Sequence, residues 1–297
     1  MTVSDTPADK VRVLTGLAGR GISQSRTPWM HEQEGDAQGL QLSYELFDFT
    51  ARGWTDDHLP KLLDDVQAGG FAGINVTLPF KQAVIPHLDS LSESAGRIGA
   101  VNTVAFTGGR RIGHNTDVTG FGESLRAGLA GLDRSCVLQL GCGGAGAATA
   151  HALLGDGVER LLLSDVDVVR AADLTGHLNE IYGSGRAAVA TDPAQAAALA
   201  VGLVNASPMG MDKFPGLPIA EAAIEPRHWV ADIVYFPLET AFLRAARAKG
   251  CRALDGSGMA IRQAAAAFEI FTGLKPNLLR MTDSFAAFTA PGADRAA

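Results

Sequence analysis

Apolar positions fall in short clusters along the chain, alternating between a strand-like and a helix-like spacing. Val11–Ala18 (VRVLTGLA) is a compact apolar run that reads as a buried strand leading into a loop rich in Gly, Ser and Thr. Pro28 then opens a helix that continues to Gln38. Gln41–Phe47 reads as a second strand, and Asp57–Ala68 as an amphipathic helix ending at Gly69-Gly70. A third strand, Gly73–Thr77, is stopped by Leu78-Pro79. This alternation predicts an α/β unit around a mostly parallel sheet.

The same rhythm recurs more cleanly in the middle of the chain. Cys136–Leu140, Arg160–Ser164, Ala187–Ala190, Gly202–Ala206 and Trp229–Val234 read as strands. Gly146–Leu154, Val169–Tyr182 and the alanine-rich Pro193–Ala200 read as the helices between them. Consecutive right-handed βαβ crossovers of this kind build an open, doubly wound parallel sheet, the Rossmann arrangement. Two long helices, Leu238–Lys249 and Gly258–Thr272, follow, and the boundary between the two α/β parts falls near Asn115–Gly122.

Composition narrows the classes of function. Hydrophobic residues make up 46% of the 297 and charged residues 19%, enough for a real core and far from a disordered chain. A net charge of −7 works against a general nucleic-acid or anionic-membrane surface but leaves room for a local cationic pocket. Cys136, Cys142 and Cys251 cannot all pair and show no metal-ligand spacing, which points to a reducing, cytoplasmic compartment and no metal. The first ten residues read as a frayed tail, without the apolar core of a secretory signal. No stretch approaches the ~20 apolar residues that span a bilayer.

One turn carries explicit chemistry. Gly141-Cys142-Gly143-Gly144-Ala145-Gly146 spells G-x-G-x-x-G, directly after an apolar strand and directly before an alanine-rich helix. The first glycine turns tightly, the second lets backbone approach a pyrophosphate, and the third packs helix against strand. The pyrophosphate then meets the free N–H groups and positive end of that helix. Alone the motif is only a tight turn; with strand, helix and next strand in place it predicts a dinucleotide site. That next strand ends in Ser164-Asp165-Val166-Asp167, where a carboxylate accepts hydrogen bonds from the adenosine ribose and repels a 2′-phosphate. Asp165 and Asp167 both qualify, each with the plainer alternative of a solvated loop acid. Arg170 could stack on adenine or meet a phosphate, but two acids against one arginine favour NAD over NADP.

Three polar clusters interrupt apolar runs in the N-terminal part. In Gly21-Ile22-Ser23-Gln24-Ser25-Arg26-Thr27-Pro28, hydroxyls just before a helix start can hold a carboxylate beside free N–H groups, or simply cap the helix. Asn75-Val76-Thr77-Leu78-Pro79-Phe80-Lys81 lies at the C-terminal end of a strand, where ligands of parallel sheets collect. Gly99-Ala100-Val101-Asn102-Thr103, followed by Gly113-His114-Asn115-Thr116-Asp117, makes the third.

Together these clusters resemble the shikimate/quinate dehydrogenase family: S-x-[ST]-P, N-V-T-x-P-x-K, G-A-V-N-T, and N-T-D ahead of a glycine-rich dinucleotide turn. The resemblance continues through Asn205-Ala206-Ser207-Pro208-Met209-Gly210, Asp232-Ile233-Val234-Tyr235-Phe236-Pro237, Gly258-Met259 and Gln263-Ala264-Ala265, from about Leu14 to about Gly273. It implies a catalytic pair, Lys81 and Asp117, handling the proton while hydride moves between nicotinamide and a ring carbinol carbon. It implies Ser25 and Thr27 on the substrate carboxylate, Thr77, Asn102 and Gln263 on ring hydroxyls, and Tyr235 near substrate and nicotinamide. Asn205, Ser207, Met209 and Gly258 are implied in the cofactor site, with Met259 against the nicotinamide ring. Without the resemblance, Lys81 reads as a surface lysine, Asp117 as a helix N-cap before Val118–Leu125, and Met259 as core.

Two departures from the family pattern point to one branch. Ser164-Asp165-Val166-Asp167 stands where NADP-using members carry Asn-Arg-Thr, and Thr27 stands where serine is more usual. Both resemble the NAD-dependent quinate/shikimate branch, which implies oxidation of quinate or shikimate to 3-dehydroquinate or 3-dehydroshikimate. The implied partner is a small hydroxylated cyclic carboxylate, with neither nucleic acid nor membrane. Competing readings are an NADP-using or amino-shikimate dehydrogenase, and a non-catalytic ligand sensor on the same fold; the intact Lys81, Asp117 and glycine turn count against the sensor. The implied architecture is a substrate-binding domain over residues 1–117, an NAD-binding Rossmann domain over 118–256 facing it across a cleft, and helices over 257–297 returning to the first domain.

Overall fold

The computed structural model describes residues 10–287, so all of the expected N-terminal tail except Lys10 lies outside the described residues. The described chain divides into two compact units, one of residues 10–92, 101–114 and 264–287, the other of 93–100 and 115–263.

The first unit begins with β1 (Val11–Gly19), α1 (Thr27–Ala37), β2 (Leu40–Asp48), α2 (Leu59–Ala68) and β3 (Gly73–Val76). A short α3 (Phe80–Ala83) and β4 (Ser90–Leu91) follow; α4 (Glu93–Ile98) counts with the second unit; β5 (Thr103–Thr107) and β6 (Arg110–His114) return to the first. The sheet order is β2-β1-β3-β5-β6-β4. β1 is parallel to both β2 and β3, as the intervening helices require. β5 runs antiparallel to both β3 and β6, while β4 is parallel to β6, so the sheet is mixed, with three of its five pairings parallel. Gly108-Gly109, both at positive φ, reverses the chain between them, the conformation two-residue hairpin turns demand.

The second unit is the regular one. It comprises α5 (Asp117–Gly128), β7 (Cys136–Leu140), α6 (Gly144–Gly155), β8 (Arg160–Ser164), α7 (Val168–Tyr182), β9 (Ala187–Val189) and α8 (Pro193–Leu199). β10 (Gly202–Asn205), β11 (Trp229–Asp232), α9 (Ala241–Ala248) and β12 (Arg252–Leu254) complete it. All pairings are parallel, in the order β12-β11-β10-β7-β8-β9. Winding reverses between β7 and β10, and ligands of doubly wound sheets bind beyond the strand ends at such a switch point. One face of the sheet packs Val137, Leu161, Leu163 and Val204 against α6 residues Ala148 and Leu153; the other packs Leu138, Leu203 and Val230 against Phe242 and Leu243 of α9.

α10 (Ser257–Thr272) starts in the second unit and ends in the first, where α11 (Leu278–Ala287) also lies. α11 docks on α1 through Glu34, which is wholly buried. Its Oε1 accepts the Asn277 N–H at 2.8 Å and its Oε2 pairs with Arg280 at 3.0 Å. The Arg26 guanidinium lies 4.6 Å above the Phe285 ring. Compared with boundaries at 117 and 256, α4, Asn115–Asp117 and the first turns of α10 count with the second unit. The reason is packing: α4 lies on α6, and a side chain at Gly120 of α5 would reach within 2.8 Å of the Met259 carbonyl oxygen.

Candidate active site

The three motif glycines of the second unit do three different things. Gly141 has φ +103°, and a Cβ there would lie 2.6 Å from the Ser207 nitrogen. A Cβ on Gly146 would lie 2.3 Å from the Gly141 carbonyl oxygen, so α6 can sit against the turn only with glycine there. Gly143 is extended (φ −70°, ψ −170°) at the N-cap of α6, has open space where a Cβ would be, and no side chain caps the helix. Gly144 and Ala145 form the first turn, whose N–H groups lack intrahelical acceptors. Buried Gln139 clasps the turn from β7, donating Nε2 to the Gly141 carbonyl at 2.9 Å and to the Gly146 carbonyl at 2.8 Å. The result is an uncapped helix N-terminus with room over it, the geometry that receives a phosphate.

The two candidate ribose acids are not equivalent. Asp165, at the end of β8, is nearly buried; its Oδ2 accepts the Cys142 N–H at 2.7 Å, tying the strand end to the glycine turn. Its Oδ1 accepts the Asp167 N–H. Asp167 is spent as the N-cap of α7, accepting from the Val169 and Arg170 N–H groups, and its side chain is 44% exposed. Arg170 pairs with both acids, at 3.4 and 3.2 Å. Cys142 is buried beside Asp165, its thiol pushed up to about 12 by burial and that neighbouring charge, so it is a packed turn residue and not a nucleophile.

At the end of β10, Asn205 has no exposed surface. Its Nδ2 donates to the Met209 carbonyl at 2.8 Å and to Asp232 Oδ1 at 2.9 Å, and its Oδ1 accepts from the Ser207 N–H and hydroxyl. Asn205 therefore shapes the Ala206–Met209 turn from below. Asp232 also accepts from the Val234 N–H and the Thr240 hydroxyl, while burial raises its carboxyl to about 6. Gly258 sits where a Cβ would meet Ser124 Oγ at 2.2 Å, and Met259 is buried in the core of the unit. Tyr235 is partly exposed, and Gln263 donates to the Ala260 carbonyl one helical turn earlier.

In the first unit, Ser25, Thr27, Thr77, Lys81 and Asn102 collect at the C-terminal edge of β1 and β3. The pairing registers bring this about: Ala18 lies opposite Val76 and Asn75 opposite Thr103, so the loops leaving β1 and β3 and the one entering β5 share an edge. The Ser25 hydroxyl accepts the Thr27 N–H at 3.3 Å, and the N-cap residue of α1 is Arg26, with no side-chain cap. The Thr77 N–H donates to the Ala18 carbonyl, and the Lys81 carbonyl accepts from the Val101 N–H. Asp48, absent from the sequence reading, holds the loop before Ser25: its carboxylate accepts N–H groups of Gly21, Ile22 and Thr50 at 2.9 Å. Burial pulls that carboxyl upward, but the backbone N–H donors outweigh it and keep it below the usual carboxylate range.

Asp117 is buried in the first turn of α5, in the second unit. It is not the cap that its position suggested. Asn115 Oδ1 takes the Asp117 and Val118 N–H groups, at 3.1 and 3.4 Å. Among the described residues no group of three His, Cys, Asp or Glu could hold a metal ion, and no helix is long and apolar enough to cross a membrane.

Residues 17–104 match the family model described as the shikimate dehydrogenase substrate binding domain, and residues 256–284 that of the shikimate 5′-dehydrogenase C-terminal domain. The chain is 48% identical over 278 residues to a quinate/shikimate dehydrogenase (NAD(+)) of Corynebacterium efficiens, covering 92% of this chain and 97% of that one. It is 47% identical over 274 residues to a shikimate dehydrogenase (NADP(+)) of Pseudarthrobacter chlorophenolicus, covering 92% and 94%. Among solved structures, the quinate dehydrogenase of Corynebacterium glutamicum in complex with NAD superposes with a TM-score of 0.87 at 44% identity, over 94% of this chain and all of that one.

Proposed function

The chain belongs to the shikimate dehydrogenase family, and from that premise we propose that it oxidises a ring alcohol of quinate and shikimate with NAD, giving 3-dehydroquinate and 3-dehydroshikimate. The observation that carries the cofactor half is the open cradle at Gly143, over an uncapped helix and beside the nearly buried Asp165. A side chain on Gly143 would fill that cradle, whereas the glycine leaves it free for a pyrophosphate.

Asp165 is the better ribose acceptor of the two acids. It bridges turn and strand end, and a carboxylate with about four acceptor positions keeps capacity for a hydroxyl after its two backbone bonds. Asp167 serves its helix instead. A 2′-phosphate would meet the Asp165 charge, and Arg170, paired with both acids, is poorly placed to compensate. NADP use has the Pseudarthrobacter relative in its favour; Asp165 weighs against it.

On the substrate side, Ser25 and Thr27 take the carboxylate at the start of α1, Thr77, Asn102 and Gln263 take ring hydroxyls, and Tyr235 borders the reacting ring. Bound NAD supplies the hydride acceptor. The Lys81–Asp117 pair takes the hydroxyl proton as the hydride leaves the carbinol carbon, and returns it in the reverse direction. Three free thiols suit a reducing, cytoplasmic setting.

The test is kinetic. Lys81→Ala and Asp117→Asn should each lower kcat about 10²- to 10⁴-fold, the usual share of a general acid–base group, with NAD affinity within about twofold of the parent. Near-parental turnover in both would remove the pair from the mechanism.

A further inference from the structure

A line of buried side chains in the first unit runs from Tyr44 through Asn75 and Thr103 to Asn102, and its hydrogen bonds share a consistent polarity. The Asn75 side-chain amide lies 3.1 Å from the Asn102 backbone carbonyl, which can only accept, so the Asn75 atom there is its NH₂. The same nitrogen donates to Thr103 Oγ1 at 2.9 Å. Asn75 Oδ1 then faces Tyr44, whose hydroxyl donates to it at 2.7 Å. Having accepted from Asn75, the Thr103 hydroxyl has its one proton for the Asn102 side chain at 2.9 Å. The Asn102 atom on that side is Oδ1, which accepts that proton. All four residues are buried, so water does not compete for these bonds.

We propose that Tyr44, Asn75 and Thr103 are positioning residues that hold the Asn102 carbonyl oxygen on the Thr103 hydroxyl, so that Asn102 meets the substrate through its amide NH₂. This rests on the reading of Asn102 as a substrate ligand. The consequence is a rule of specificity. The ring atom held by Asn102 must accept a hydrogen bond, which hydroxyl and ketone oxygens both do, while a ring ammonium at that place would bring two donors together. A contact made by the amide NH₂ thus tolerates both oxidation states of the ring and disfavours a protonated amino substituent.

Four variants of the full chain test this, each assayed for KM toward quinate and shikimate, KM toward NAD, and melting temperature. Thr103→Val keeps the shape but removes the proton that fixes Asn102, and should raise the substrate KM about tenfold or more while the NAD KM stays within about twofold. Thr103→Ser restores the hydroxyl and should return the substrate KM to within about threefold of the parent, a rescue that a packing role would not produce. Tyr44→Phe, acting from the far end, should shift the substrate KM the same way by a smaller factor and stands in if the valine variant fails to fold. Asn102→Ala sets the scale. Parental substrate KM in Thr103→Val and Tyr44→Phe, with Asn102→Ala impaired, would overturn the polarity lock. Parental substrate KM in Asn102→Ala would instead remove the substrate contact on which the lock rests.

Discussion

Alanine at Gly143 and at Gly146, introduced one at a time, should separate what the glycine turn does for the ligand from what it does for the fold. At Gly146 the added methyl would lie 2.3 Å from the Gly141 carbonyl oxygen and 2.9 Å from its carbon, both backbone atoms that cannot rotate away. Helix α6 and the turn must part, an overpacking cost of about 2–3 kcal/mol. In a protein of this size that lowers the melting temperature by roughly 4–12 °C. At Gly143 the methyl meets nothing within 4 Å, and the backbone angles suit any residue. The reduced freedom of the unfolded chain stabilises by about 0.4–1 kcal/mol, while alanine is a poorer N-cap than glycine by a similar amount, so the two nearly cancel. Stability should therefore hold while the methyl occupies the approach of the pyrophosphate, raising the NAD KM about 10- to 100-fold, or about 1.4–2.8 kcal/mol. The assay is a melt without nucleotide beside initial rates at saturating quinate with NAD varied. A Gly143→Ala protein that melts and binds NAD like the parent would refute the assignment of this turn to the pyrophosphate.

Asp165→Asn should raise the NAD KM about tenfold or more and move the preference toward NADP, whereas Asp167→Ala should cost only its helix cap, about 1 kcal/mol seen in denaturant titrations; the reverse ranking would exchange their roles. Glu34→Gln leaves Arg280 without its anion and should destabilise by about 1–3 kcal/mol, so an unchanged urea midpoint would show that the latch between α1 and α11 contributes nothing. His31 is wholly buried among Tyr44, Phe268 and Phe271, and burial lowers its pKa to about 3. Below pH 6.5 the unfolded chain takes up a proton that the native site refuses, so this contribution to stability is complete above 6.5 and is lost toward pH 3, by up to about 1.4 kcal/mol per pH unit. His31→Phe should flatten that part of the stability–pH curve, and an unchanged slope would show that the residue takes no part in it.

The nucleotide-binding unit was legible because each of its signals is local. CVLQL, RLLLS and the glycine turn carry strand, strand and phosphate chemistry within one βαβ stretch, and β7 and β8 fall on the predicted residues. The β5–β6 hairpin was missed although Gly108-Gly109 lies between TVAFT and RRIGH; the surrounding motif residues drew attention to chemistry in a stretch whose alternation is that of strands. The choice between Asp165 and Asp167 could not be made from spacing, since only the fold shows which carboxylate returns to the Cys142 N–H. Asp48 and Gln139 carry no motif at all, and Asn115 belongs to one without its capping role being readable there. Each acts on backbone groups whose positions only the fold fixes: Asp48 on a loop 26 residues earlier, Asn115 on the turn after it, Gln139 on two glycine carbonyls. The same holds for Glu34, whose partners Asn277 and Arg280 lie more than 240 positions away.

The most direct test of the whole account is a comparison of initial rates for quinate and shikimate oxidation, each with NAD and with NADP, followed by the absorbance of the reduced nicotinamide. Turnover of both ring acids with NAD is expected, with a kcat/KM with NADP lower by about tenfold or more, as the Asp165 carboxylate requires. Comparable rates with NADP would contradict the ribose assignment, and no turnover in any of the four combinations, in protein that binds NAD, would contradict the substrate.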